Sequence, residues 1–148
     1  MNKWIIAFSL VLVLFSCSLT ATQETNFNAQ AANYLKAVNG GLMLKVITKT
    51  HPSYVKHVKI KGDEIFKKTF SKKNIRKERV SNIEVRQIAQ KDYSIQIAFM
   101  AESKDFFNET IERKPYVAIS ENNGLDWYFV PYKVWKNKNI YLKVKRLF

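Results

Sequence analysis

The chain has 148 residues, with 25 Lys and Arg against 12 Asp and Glu, and a formal net charge of +13. Hydrophobic residues make up 47% and aromatic residues 14%, enough to bury a core, which excludes a globally disordered chain. The length suits one domain once a leader is removed, and a single cysteine excludes an internal disulfide.

Residues 1–21 read as an export signal. Lys3 supplies the positive start, residues 5–15 form an apolar run interrupted only by Ser9, and small polar residues follow. The run is too short for a membrane span, which takes about 20 residues. Leu14-Phe15-Ser16-Cys17 resembles the bacterial lipoprotein box, whose cysteine is lipidated after cleavage. Cleavage before Cys17 would leave a lipid-anchored protein, and cleavage near Ala21 would discard Cys17. Either route leaves residues 22–148 as one domain without a free thiol. The expected location is outside the cytoplasm, in the periplasm or on the outer membrane and cell envelope as a lipoprotein.

Helix signals follow. Phe27, Ala31, Tyr34 and Val38 recur at spacings of four, three and four, one face of an amphipathic helix. Asn39-Gly40-Gly41 stops it, as a left-handed cap would. Residues 42–48 predict a short second helix, and Pro52 suits the first turn of a third over residues 53–57. Gly62-Asp63 opens a fourth through about Ser71, with Asp63 as N-cap and Ile65, Phe66 and Phe70 facing inward.

From Arg76 the period changes to two. Residues 80–88 carry Ile83 and Val85 on one face. Tyr93, Ile95, Ile97, Phe99 and Ala101 alternate with Ser94, Gln96, Ala98 and Met100, and Gln90-Lys91-Asp92 links the two strands. A third strand should end at Ser120. The turn Glu121-Asn122-Asn123-Gly124 then reverses the chain into Trp127, Tyr128, Phe129 and Val130, closed by Pro131. Residues 140–148 fit a helix or a strand. Helices followed by strands predict an α+β fold, with N-terminal helices packed on one face of a curved antiparallel sheet of about four to six strands.

Three places carry a family resemblance. One is the helix end Tyr34-Leu35-Lys36-Ala37-Val38-Asn39-Gly40, another is Thr50-His51-Pro52 followed by the Gly62-led helix, and the third is residues 116–130. Together they resemble small exported bacterial members of the nuclear-transport-factor-2-like, or cystatin-like-fold, superfamily. The resemblance implies a long helix crossing a curved sheet to close a cone whose mouth holds a ligand. That fold serves enzymes, binding modules and assembly domains alike, so it leaves function open. Residues 120–127 also resemble the Asp-box turn, with Asn122 in place of Asp and Asp126 in place of Thr, which implies a structural Trp127 folded over the hairpin.

Catalytic motifs are missing. His51 and His57, the only histidines, stand six apart, about 240° around a helix, and no Cys-x-x-Cys accompanies them, so no metal site is expected. There is no Gly-x-Ser-x-Gly elbow and no phosphate-binding loop. No catalytic residue and no cofactor is assigned. Enzymes of the resembled fold, isomerases and cyclases among them, place an Asp, His or Tyr in an apolar cavity. Glu84 should face water and Asp92 should sit in a turn, which leaves Tyr34, His51, Tyr54 and Tyr93 as candidates to line a pocket for a small apolar ligand.

The charge suggests a different partner. Residues 45–79 hold twelve basic residues against Asp63, Glu64 and Glu78, and a second basic group runs from Lys133 to Arg146. Lys56, Lys59, Lys67, Lys68, Lys72 and Lys73 are the candidates to meet an anionic envelope component. A bland alternative is that these lysines only keep the surface soluble. Nucleic acid is disfavoured by export and by the shortage of arginine. The expected function is a membrane-tethered accessory or ligand-binding domain without enzymatic activity. The alternatives are an isomerase or cyclase using the cone, and a basic adaptor for anionic surfaces. A dimer is admitted.

Overall fold

A computed structural model describes residues 18–71, 78–107, 109–140 and 142–148. Cys17, Lys72 and Lys73 lie outside the described residues, as does most of the expected leader.

Thr20 starts the first helix, α1 (Ala21–Asn39), with a reciprocal cap. Its hydroxyl accepts from the Gln23 N–H at 3.3 Å, and the Gln23 amide oxygen accepts from the Thr20 N–H at 2.9 Å. Packing thus begins before residue 22, since Leu19 also lies against the core. At the other end Gly41 takes φ +65°, the Leu42 N–H reaches the Ala37 carbonyl at 2.9 Å, and the Gly41 N–H reaches Val38 at 3.2 Å. That double bond closes a helix only where a residue tolerates a left-handed backbone.

Three shorter helices follow: α2 (Met43–Lys49), α3 (Pro52–Ile60) and α4 (Asp63–Phe70). The cap of α4 is Gly62 rather than the expected Asp63. Gly62 adopts φ +111°, which a side-chain-bearing residue resists, so the break falls one residue earlier and Asp63 joins the first turn. Phe66 and Phe70 pack inward with ring centroids 4.9 Å apart, whereas Ile65 faces outward, contrary to expectation.

The strands β1 (Glu78–Lys91), β2 (Ser94–Asp105), β3 (Ile111–Ser120) and β4 (Tyr128–Pro131) form one antiparallel meander in the order β1-β2-β3-β4. The chain is therefore α+β, with helices on the N-terminal side and an open four-stranded sheet. Lys91 pairs with Ser94, so the first hairpin turns on Asp92 and Tyr93 alone. Tyr93 thereby leaves the inward row expected for it and stands 73% exposed. Two register shifts in β1, between Val80 and Asn82 and between Val85 and Gln87, put Val80, Ile83, Val85 and Ile88 opposite Ser103, Ala101, Phe99 and Ile97. Such bulges bend a strand and increase its twist.

Both faces of the sheet are covered over β4, the second half of β3 and the part of β2 paired with it, whereas residues 111–115 of β3 are exposed. Ile95, Ile97, Phe99, Tyr116, Ala118 and Phe129 meet the helices, with Phe27 edge-on to Phe99 at 5.4 Å and to Trp127 at 5.5 Å. Val117, Ile119 and Val130 meet a short helix α5 (Tyr132–Lys136) and the C-terminal segment through Trp135 and Leu142. The second face explains why Gln96, expected on the polar side, is fully buried. Its amide donates to the Lys145 carbonyl at 2.7 Å and accepts from the Leu147 N–H at 2.8 Å. The described residues of the tail form neither helix nor strand, because a side chain supplies the partners that a ladder would otherwise give.

Candidate functional site

The apolar row of α1, the α2–α3 junction, the end of α4 and the middle of β3 converge on a cleft of about 300 Å³. Tyr34 enters it from α1, stacked on Phe129 at 4.7 Å and edge-on to Tyr116 at 6.0 Å. Tyr116 is the first buried residue of β3 and stacks on Phe99 at 5.7 Å. Tyr54 comes from α3, edge-on to Phe70 at 6.0 Å. Val38, Val46 and Pro131 complete apolar walls, and Thr50, Thr69 and Ser71 add hydroxyls. Lys114, two residues before Tyr116 on the same face of β3, reaches the lining while paired with Glu112 at 3.0 Å.

Burial controls the chemistry of the three phenols. Moving a phenolate out of water is costly, so the protonated form is favoured. Burial lifts Tyr34 well above its ordinary value, and the neighbouring Tyr116 adds to this while a hydrogen bond with Thr50 opposes it. Tyr116 is pushed up to about 12, by burial first and by the Glu112 charge second. Tyr54 is raised by burial alone. At physiological pH all three are neutral hydroxyls that can donate a hydrogen bond. They are poor bases, because a general base works best with a pKa near the operating pH.

Of the four expected pocket residues, Tyr34 and Tyr54 meet in the cleft and the other two stand elsewhere. His51 caps α3: its ring Nδ1 accepts from the Ser53 N–H at 3.3 Å, and its backbone N–H donates to the Phe129 carbonyl at 3.1 Å. It is 4% exposed and edge-on to Tyr128 at 6.3 Å, and burial lowers its pKa, so the ring is neutral. Tyr93 sits in the first hairpin turn. Glu84 is exposed and paired with Arg86 at 2.8 Å. Lys56 and Lys59 are exposed on α3, and Lys67 and Lys68 on α4. Among the described residues no group of three His, Cys, Asp or Glu is placed to hold a metal ion.

No family model, curated protein or solved structure matches this chain.

The turn at residues 121–127 is built as a scaffold. Ser120 Oγ accepts from the Gly124 N–H at 2.9 Å, Asn122 Oδ1 accepts from the Asp126 N–H at 2.9 Å, and the Trp127 indole donates to the Gly124 carbonyl at 3.1 Å. From α1, Gln23 donates to Asn123, Asn26 to Gly124 and Gln30 to Leu125. These three lie at spacings of three and four, a polar stripe beside the apolar row of the same helix. The stripe was readable in the sequence as a pattern, and its partner was not. Thr50, Lys114 and Tyr116 likewise carried no sequence signal for the cleft, because they belong to elements that meet only in the folded chain.

Proposed function

We propose that this is an exported, non-enzymatic binding domain, tethered to the membrane through Cys17, with a fold of the nuclear-transport-factor-2-like kind and a small apolar ligand in the tyrosine cleft. The observation that carries the reading is the lining: apolar walls around three hydroxyls that burial keeps as neutral donors. Such a site suits a compact apolar body bearing one or two hydrogen-bond acceptors. The isomerase or cyclase reading has less support, since the lining offers phenols and one paired lysine in place of a carboxylate or imidazole.

Support for the tether comes from the start of α1. A cut near Ala21 would remove Thr20, at a cost of about 1 kcal/mol for a lost helix cap, together with the core contact of Leu19. A cut before Cys17 keeps both. Intact mass of the native protein is expected to give a lipidated chain beginning at Cys17, and a chain beginning at or after Ser18 would sink the tether.

The cleft is tested by saturation-transfer NMR with a panel of cyclic ketones and aromatic carboxylic acids. Compounds that bind should lose about tenfold in affinity with Tyr116→Phe, the worth of one hydrogen bond. Binders that ignore Tyr34→Phe and Tyr116→Phe together would place the ligand elsewhere.

A second reading has its own observation, the exposed Lys56, Lys59, Lys67 and Lys68 on the packed pair α3 and α4. Exposed charges are screened beyond about 8 Å at physiological salt. An adaptor for anionic surfaces should therefore bind anionic vesicles at low salt, release them as salt rises, and lose binding when the four lysines become Gln. No binding at low salt defeats this second reading.

A further inference from the structure

A second cavity, of about 350 Å³, shares no lining residue with the tyrosine cleft. Ser53, Lys56, His57 and Ile60 stand at i, i+3, i+4 and i+7 of α3, so one helical face supplies most of its wall. Pro52 and Lys143 complete it. Lys143 arrives from the C-terminal segment, where its own N–H donates to the Ser53 hydroxyl at 3.3 Å. Gln96 holds the chain two and four residues further on. The backbone at this lysine and just beyond it is therefore held by the fold.

The ionisable groups of this cavity are two ammoniums and one imidazole, with no carboxylate among them. His57 Nε2 is buried and has no hydrogen-bond partner among the described residues. Buried polar atoms in folded proteins are nearly always paired, and an exception calls for an explanation. The atom has no contact with solvent, so a ligand in the cavity reaches it by a turn of the ring; an oxyanion would then accept from the imidazole N–H and neutralise both lysines. The walls beside these groups are apolar, and Ile60 is 76% exposed, so the cavity is larger and greasier than an inorganic ion needs.

We propose that this cavity binds a small phosphate monoester, with the phosphate oxygens on Lys56, His57 and Lys143 and the organic group over Pro52 and Ile60. The ligand differs in charge from that of the tyrosine cleft, and the proposal stands whether or not that cleft is occupied.

The test uses phenyl phosphate and inorganic phosphate, titrated into the full chain at constant ionic strength. The chain has only two histidines, so their ring nitrogens give a simple NMR readout. His57→Gln assigns its signal by loss. Phenyl phosphate is expected to shift the His57 ring and leave His51 in place, and to bind more tightly than inorganic phosphate. Lys56→Gln and Lys143→Gln should each weaken binding about tenfold, the size of a charge-assisted hydrogen bond. A His57 ring that does not move overturns the proposal. So does an affinity that both lysine variants leave intact, or an equal response to chloride. Vesicles containing phosphatidic acid separate two sources of the same group. Co-sedimentation lost in the two lysine variants assigns a lipid headgroup, and phenyl phosphate binding without co-sedimentation assigns a soluble monoester.

Discussion

Trp127→Ala tests whether the second hairpin is a scaffold. The indole is fully buried, meets Phe27 edge-on at 5.5 Å, and donates to the Gly124 carbonyl at 3.1 Å. Truncating a packed Trp costs about 3–5 kcal/mol in lost contacts and cavity. The lost hydrogen bond adds little, because the Gly124 carbonyl keeps the Asn26 amide at 3.3 Å. A domain of this size has about 5–15 kcal/mol in total, so the variant gives up a large part of its stability. The melting temperature should fall by about 10–20 °C. Urea unfolding followed by far-ultraviolet circular dichroism gives the free energy without relying on the deleted fluorophore. Trp127→Phe retains the aromatic contact and should cost less, about 1–2 kcal/mol. A Trp127→Ala protein that melts with the wild type would refute the scaffold argument, and loss of a bound ligand in that protein would assign Trp127 to binding.

Three further outcomes follow from other parts of the molecule. Gly124 has φ +83°, and a Cβ there would stand 2.8 Å from Gln23 Cγ. Gly124→Ala should therefore destabilise by about 2–3 kcal/mol in urea unfolding, through the left-handed backbone and the displaced Gln23 bonds to Asn123. Gln96→Leu strips partners from the Lys145 carbonyl and the Leu147 N–H, at about 1–3 kcal/mol, and limited proteolysis should cut the C-terminal segment first. Ultraviolet titration of the tyrosines should show Tyr34, Tyr54 and Tyr116 ionising above the ordinary 10.0, with Tyr116 near 12. The folded value of Tyr116 is raised, so its contribution is complete below pH 10.0 and is lost as pH rises through about 12. The loss is on the order of 2 kcal/mol, and Tyr116→Phe should flatten the alkaline limb of stability against pH.

Much of the helical half was legible locally. The row of Phe27, Ala31 and Tyr34 is buried as its spacing requires, and Asn39-Gly40-Gly41 ends the helix where a left-handed residue is available. Periodicity read less well at the strands. Tyr93 fits the alternation of Ile95, Ile97 and Phe99, yet the pairing of Lys91 with Ser94 leaves it in a turn. Alternation reports which side of a strand a residue occupies and is silent on where the strand begins. Gln96 failed for a different reason, since a polar residue on the second face reads as exposed until another segment covers that face.

The candidate site was half legible. Tyr34 stood out as a tyrosine on an apolar face and Tyr54 only as a conceivable participant, while Tyr116, Thr50 and Lys114 joined them only through packing. His51 looked like chemistry and serves as a helix cap, because the residue before Pro52 is where an exposed backbone N–H needs an acceptor. His57 looked idle and lines a basic cavity, because Lys143 is brought to it by a segment 86 residues later in the chain.

By itself the sequence determined the positive charge, the lack of an internal disulfide, the order of helices before strands, and the hairpin centred on residues 121–124. These depend on composition and on contacts within a few residues, where backbone preference and side-chain period act directly. Only the tertiary structure decided that the sheet is buried on both faces around β4 and the second half of β3, that Gln96 holds an irregular tail, and that three phenols share one cleft. Those outcomes depend on desolvation, which is set by what lies across a gap in space. A residue's neighbours along the chain carry no measure of that distance.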